Sequence, residues 1–172
     1  VGEKGAQYIL ENLKDGGQVA IIEGKAGNAS GESRKTGATK VFTEASNVTL
    51  VASQPADWDR QKALDTAASM LQANPDLKAI YCCNDTMALG ALQAVKNAGK
   101  LGEIIVVGTD GAAEALTSVE EGELNATVAQ NSAEIGATSL RRMIKAVKDA
   151  EKIDANATPE TIPVDSYIVT KK

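Results

Sequence analysis

Residues 79–90 read Ala79-Ile80-Tyr81-Cys82-Cys83-Asn84-Asp85-Thr86-Met87-Ala88-Leu89-Gly90, and the fold turns on them. An apolar run rich in β-formers stops at two polar residues, which predicts a strand buried on both faces. Asn84 and Asp85 are favoured helix N-caps, and Ala88, Leu92 and Val95 then recur at helical spacing. The stretch is a strand-to-helix junction. In open α/β sheets ligands bind beyond the carboxyl ends of the strands, so the polar pair is the first candidate for function. Taken alone, Asn84 reads as a cap and nothing more.

Outward from this junction the same alternation continues. Ala6, Ile9, Leu10 and Leu13 share a helical face over residues 1–14, closed by Gly16-Gly17. A short apolar strand over 18–23 leads into the glycine-rich stretch 24–31, a helix over about 31–45 and a strand over 48–53. The loop Gln54-Pro55-Ala56-Asp57-Trp58-Asp59-Arg60 opens a helix carrying Ala63, Leu64, Ala67 and Leu71. After the junction, Ile104–Val107 predicts a strand ended by a Gly108-Thr109-Asp110-Gly111 loop, then come a helix over 113–120 and a strand over 126–130. A longer amphipathic helix over 133–149 carries Leu140, Met143, Ile144 and Val147. A loop with Pro and Asp then leads to a last strand, Tyr167–Val169. Strands alternating with helices predict βαβ units and a doubly wound parallel sheet, a flavodoxin-like or Rossmann-like three-layer α/β/α fold. The chain opens on a helix, where such folds ordinarily open on a strand.

Composition narrows the functional classes. Of the 172 residues, 43% are hydrophobic and 24% charged, an ordinary globular balance with ample length for a core. The net charge of −5 and the lack of a basic stripe argue against nucleic acid as a partner. The sequence contains no histidine, which removes the commonest general base and the commonest metal ligand together. Cys82 and Cys83 are adjacent in a strand and point to opposite faces, so they read as buried free thiols.

Several familiar motifs do not fit. The stretch 24–31 lies between a strand and a helix and invites a phosphate loop, but Glu32 stands where lysine and Ser/Thr are required. The glycine spacing does not fit the dinucleotide fingerprint either. No nucleophile elbow is present, and a Ser-His-Asp triad is impossible. Asp57 or Asp59 reads as the cap of the helix starting near Arg60. The Asn-x-Ser/Thr sequons at Asn28, Asn47, Asn84, Asn125 and Asn156 read as coincidence. An enzyme is not expected, nor a metal or cofactor.

A different pattern emerges just beyond the end of each strand. Arg34 lies on the helix after the first strand and Trp58, the sole tryptophan, after the second; Asn84 comes after the third, Asp110 after the fourth and Gln130 after the fifth. Planar groups such as Arg, Asn and Asp each engage two adjacent hydroxyls, and an aromatic face covers the C–H face of a pyranose. The set has the chemistry of a neutral polyol site. In that company Asn84 reads as a ligand group and Asp85 as the helix cap.

The stretches 52–60, 83–90, 106–111, 126–130 and Ile135-Gly136-Ala137 resemble the type I periplasmic sugar-binding proteins, within them the allose- and ribose-binding proteins, and the loop 27–32 favours the allose-binding branch. The resemblance runs over the whole chain. It implies a hinged receptor that closes over one monosaccharide and presents it to an ABC importer permease or a chemoreceptor, in a periplasmic or other extracytoplasmic location, with lipid anchoring of a full-length form as an option. It further implies that Arg34, Asn84, Asp110 and Gln130 hydrogen-bond the hydroxyls and that Trp58 stacks on the ring. Residues 1–130 resemble the C-terminal lobe, 131–163 a hinge-crossing segment and 164–172 a return strand, with the N-terminal lobe expected to be missing.

That lobe would ordinarily cover the helix at 133–149. Leaving its apolar stripe in water forfeits several kcal/mol at roughly 25 cal/mol per Å². The stripe is therefore expected either to dock on the single lobe or to be buried in a homodimer. Weak sugar binding by this chain alone is also expected. The alternative is the effector-binding domain of a LacI-type transcription regulator, which shares the fold and the Asn-Asp-x-Met-Ala pattern but carries a DNA-binding headpiece.

Overall fold

The computed structural model describes residues 1–152, 154, 156–158 and 160–172. Ile153, Ala155 and Pro159, within the expected hinge-crossing segment and its loop, lie outside the described residues. Helices and strands alternate as α1 (Gly2–Asn12), β1 (Gly17–Glu23), α2 (Ala29–Glu44), β2 (Val48–Pro55), α3 (Arg60–Ala73), β3 (Leu77–Cys82), α4 (Asp85–Asn97), β4 (Ile105–Asp110), α5 (Ala113–Glu121), β5 (Ala126–Gln130), α6 (Ser132–Lys148) and β6 (Ser166–Thr170). One sheet runs β2-β1-β3-β4-β5-β6, parallel throughout except for β6, which pairs antiparallel with β5. Helices α1 and α2 pack together over one face, and α3, α4 and α5 over the other, which gives the expected three layers.

The central strands are buried on both faces, so they read as near-continuous apolar runs. Val19, Ala20, Ile21 and Ile22 of β1 and Ala79, Ile80, Tyr81 and Cys82 of β3 have no solvent exposure. Both cysteines are free and buried, and burial pushes the Cys83 thiol up to about 12, which leaves it unreactive at neutral pH. The chain order reverses between β1 and β3, because β2 lies outside β1 while later strands extend the other way. That reversal opens a crevice at the carboxyl ends of β1 and β3.

Three local differences from the sequence reading have physical causes. Helix α2 starts at Ala29 rather than near Gly31, because Asn28 Oδ1 accepts from the Gly31 N–H at 3.0 Å and caps it. Strand β4 runs on through Gly108-Thr109-Asp110, where the sequence predicts a loop: these turn-forming residues pair with Thr127–Ala129 of β5, and the sheet overrides their local preference. The capping roles of the opening pair are reversed. Asn84 is the N-cap of α4, its Oδ1 accepting from the Met87 N–H at 2.8 Å, and Asp85 is helical and 1% exposed. The cap of α3 is as expected, with Asp59 accepting from the Lys62 N–H at 2.8 Å.

Helix α6 departs from one expectation. It has no buried residue, and Leu140, Met143, Ile144 and Val147 are 57%, 65%, 45% and 81% exposed, so the stripe does not dock on this lobe.

Asp85 is one of few buried polar side chains, and it accepts from Thr127 Oγ1 and from the Ala112 N–H, each at 2.7 Å. Gly108 lets it in: a Cβ there would lie 2.2 Å from Asp85 Oδ1. Burial raises the Asp85 carboxyl above the ordinary aspartate range, more than its hydrogen bonds lower it. The folded chain therefore holds this proton more tightly than the unfolded chain does. The associated stability is present below the unfolded value of about 3.9 and is lost as pH rises through the raised folded value. Asp85→Asn, neutral at every pH, is expected to gain on the wild type as pH rises from acid to neutral, read from urea midpoints. A stability difference that does not change with pH would contradict this.

Candidate functional site

The carboxyl ends of β1 and β3 are drawn together by the Cys83 N–H, which donates to the Ile22 carbonyl at 3.0 Å. Over this seam lies Arg34, one and a half turns into α2. Its Nη1 donates to the Cys83 carbonyl at 2.6 Å and its Nη2 pairs with Asp110 Oδ1 at 2.8 Å. The same Oδ1 accepts from Gln130 Nε2 at 2.8 Å. A residue from the first crossover thus links the ends of β3, β4 and β5. The Arg34 side chain is 13% exposed and that of Asp110 38%, so the pair is screened less than a surface bridge and still open on one side.

Trp58 is placed by backbone strain and by glycine. Asp57 and Trp58 hold φ of 54° and 65°, left-handed values rare for non-glycine residues. Their strained turn is tied by the Ala56 N–H to the Glu23 carbonyl at 3.0 Å. The indole lies on Gly24 and Gly31, where a Cβ would come within 2.1 Å and 2.9 Å of ring atoms. This explains the glycine-rich stretch that does not fit a phosphate loop: it is a slot for an aromatic ring. The Arg34 guanidinium carbon stands 6.0 Å from the ring centroid, at the limit of cation–π attraction.

Asp110 has φ of 125°, a conformation costing on the order of 1–3 kcal/mol that persists only where neighbours hold it. Asn84 lies beside the Arg34–Cys83 contact. All five rim residues are half-buried. Among the described residues, Asp110 Oδ2, Gln130 Oε1 and Asn84 Nδ2 have no protein partner. The rim therefore offers two acceptors, an amide donor and the remaining guanidinium N–H groups beside an aromatic ring. Among the same residues no group of three or more acidic or cysteine side chains could hold a metal ion, and no helix is long and apolar enough to cross a membrane.

The structure brings Arg34, Asp110 and Gln130 into direct contact, with Trp58 over Arg34 and Asn84 beside it. The sequence reading misses the Cys83 carbonyl as the second anchor of Arg34, the Gly24–Gly31 slot, and Asp85 with Thr127 behind Asp110. A sole tryptophan near a glycine-rich turn is the available signal for the slot; the other contacts are long-range.

A family model described as periplasmic binding protein domain matches residues 1–152. The chain is 60% identical over 172 residues to the D-allose-binding periplasmic protein of Escherichia coli (strain K12), covering 99% of this chain and 55% of that protein. It is 37% identical over 171 residues to the ribose import binding protein RbsB of the same organism, with the same coverage. Among solved structures, an ABC transporter periplasmic solute binding protein from Actinobacillus succinogenes 130z with bound D-allose matches at a TM-score of 0.88 and 35% identity, over 99% of this chain and 57% of that one. One from Bacillus halodurans C-125 with bound myo-inositol matches at 0.84 and 28% identity, over 98% and 56%. The chain spans about half the length of the curated relatives it matches.

Gly24→Ala tests the slot. Its Cβ would overlap the indole, so the ring is expected to leave for solvent and the emission of the sole tryptophan to shift to longer wavelength. An unchanged emission maximum in the folded variant would contradict the packing.

Proposed function

The chain belongs to the periplasmic binding protein family, and from that premise we propose that its rim binds a monosaccharide of the allose or ribose kind, as the solute-binding part of an ABC sugar importer outside the cytoplasm. The observation that carries this reading is the Arg34–Asp110–Gln130 chain, which aims planar polar groups beside the Trp58 ring with Asp110 Oδ2, Gln130 Oε1 and Asn84 Nδ2 left over. A sugar hydroxyl both donates and accepts, so a row of acceptors and donors suits vicinal hydroxyls. Asn84 Oδ1 is engaged as the cap of α4, which leaves Nδ2 as its unpaired donor towards the rim. The indole covers the C–H face of the ring. Relatives named for sugar binding and import support this reading over an effector domain of a LacI-type regulator.

We read residues 1–130 as the sugar-binding lobe, with 131–163 crossing towards a second lobe and 164–172 returning from it. On one lobe, a monosaccharide keeps half its hydroxyls in water while the entropy of association is still lost, so binding by this chain alone is weak. The sole tryptophan supplies the readout. Titration with D-allose is expected to change Trp58 emission with a Kd of about 1 mM or weaker, and Asp110→Asn, which keeps the side chain's shape and removes the charge, to weaken it at least about tenfold. A micromolar constant would contradict the single-lobe limit. No response to allose or ribose at any attainable concentration would contradict the sugar site.

The uncovered stripe of α6 implies a partner, and for this chain alone a second copy burying the same stripe fits best, since isologous pairing covers both helices at once. Light scattering is expected to report a dimer, and Met143→Lys with Val147→Lys a monomer whose melting temperature no longer rises with protein concentration. A monomeric wild type would overturn this pairing.

A further inference from the structure

One buried carboxylate next to the rim takes no part in it. Asp85 follows Asn84 in sequence but turns away from the crevice into the seam between β4 and β5. Its Oδ2 accepts from the Ala112 N–H at 2.7 Å and its Oδ1 from Thr127 Oγ1 at 2.7 Å. Thr127 Oγ1 in turn accepts from the Gly111 N–H at 3.3 Å. The two N–H groups held in this way belong to the two residues that follow Asp110. On its other side, Gly108 lies against the same carboxylate so closely that a Cβ there would be 2.2 Å from Oδ1. The backbone is thus fixed before and after Asp110, the residue whose φ of 125° a non-glycine side chain leaves unless it is held. In that conformation Asp110 Oδ1 meets both Arg34 Nη2 and Gln130 Nε2.

We propose that Asp85, through Thr127 and the Ala112 N–H, is a positioning residue for the rim: it clamps Asp110 in its positive-φ conformation and so sets the alignment of Arg34, Asp110 and Gln130 that receives the monosaccharide. The proposal rests on the monosaccharide reading for its function, but the clamp itself acts without sugar. A mere tie between β4 and β5 would need only one of the two hydrogen bonds and would not require both residues after Asp110 to be held.

Two readouts separate the clamp from the sugar reading. The first is the Arg34 guanidinium NMR signal without ligand, which reports whether the group stays held between the Cys83 carbonyl and Asp110. The second is the D-allose titration. Thr127→Val, which keeps the side chain's shape and removes the hydroxyl, and Asp85→Ala are expected to move the Arg34 signal towards that of free arginine and to weaken allose binding about tenfold. Thr127→Ser and Asp85→Asn, which can restore the hydrogen bonds, are expected to keep both. If Asp85→Ala does not fold, Thr127→Val carries the test. A folded Thr127→Val with an unchanged Arg34 signal overturns the clamp, whatever the sugar does. Loss of that signal in the variants, with no sugar bound by the wild type, supports the clamp and overturns the sugar reading instead.

Discussion

A guanidinium laid across the ends of two neighbouring strands has to satisfy several donors at once, and the rim is arranged around that demand. Arg34 arrives from the first crossover helix and finds its acceptors on β3 and β4, the Cys83 carbonyl and Asp110. This reach is possible because the sheet reverses its order between β1 and β3, which leaves the carboxyl ends of those strands uncovered by a connection. Once Arg34 is in place, Asp110 must face it, Gln130 can donate to the same oxygen, and Trp58 can settle beside the cation on Gly24 and Gly31. The strained φ values at Asp57, Trp58 and Asp110 occur among these residues. They are the local cost of aiming side chains that unstrained strand ends would point elsewhere.

Much of the fold is legible in the sequence because it depends on short-range patterns. The run from Ala79 to Cys82 and the 3.6-residue spacing of Ala88, Leu92 and Val95 define β3 and α4, and β5 reads with the bounds it has in the structure, Ala126–Gln130. Gly108-Thr109-Asp110 misleads because glycine and aspartate favour turns locally, while pairing with β5 makes them strand. Asn84 and Asp85 are equally good caps by type. Only partners 27 and 42 residues away, Ala112 and Thr127, decide that Asp85 is the one drawn inward. The five rim residues can be picked out because a doubly wound sheet puts all strand ends on one side. Their mutual contacts cannot, since these depend on backbone angles with no sequence signature.

The two ends of the chain's organisation make opposite demands on solvent. The core between the helical layers is closed, whereas α6 presents Leu140, Met143, Ile144 and Val147 to water. An amphipathic helix that buries nothing within its own chain is evidence of a partner surface, and the half-exposed rim is likewise a surface with groups left over. Both features leave groups without partners, in a chain that spans about half the length of its curated relatives.

The central claim is that the ends of β1, β3, β4 and β5, with the Trp58 loop, form one sugar-facing surface. Chemical-shift mapping of the labelled chain with D-allose tests it most directly. The account expects perturbations at the Trp58 indole N–H, the Arg34 guanidinium, the Asn84 and Gln130 amides and the backbone at Asp110, moving together along one saturation curve. Perturbations that spread elsewhere, or that move these groups with unrelated curves, would contradict it.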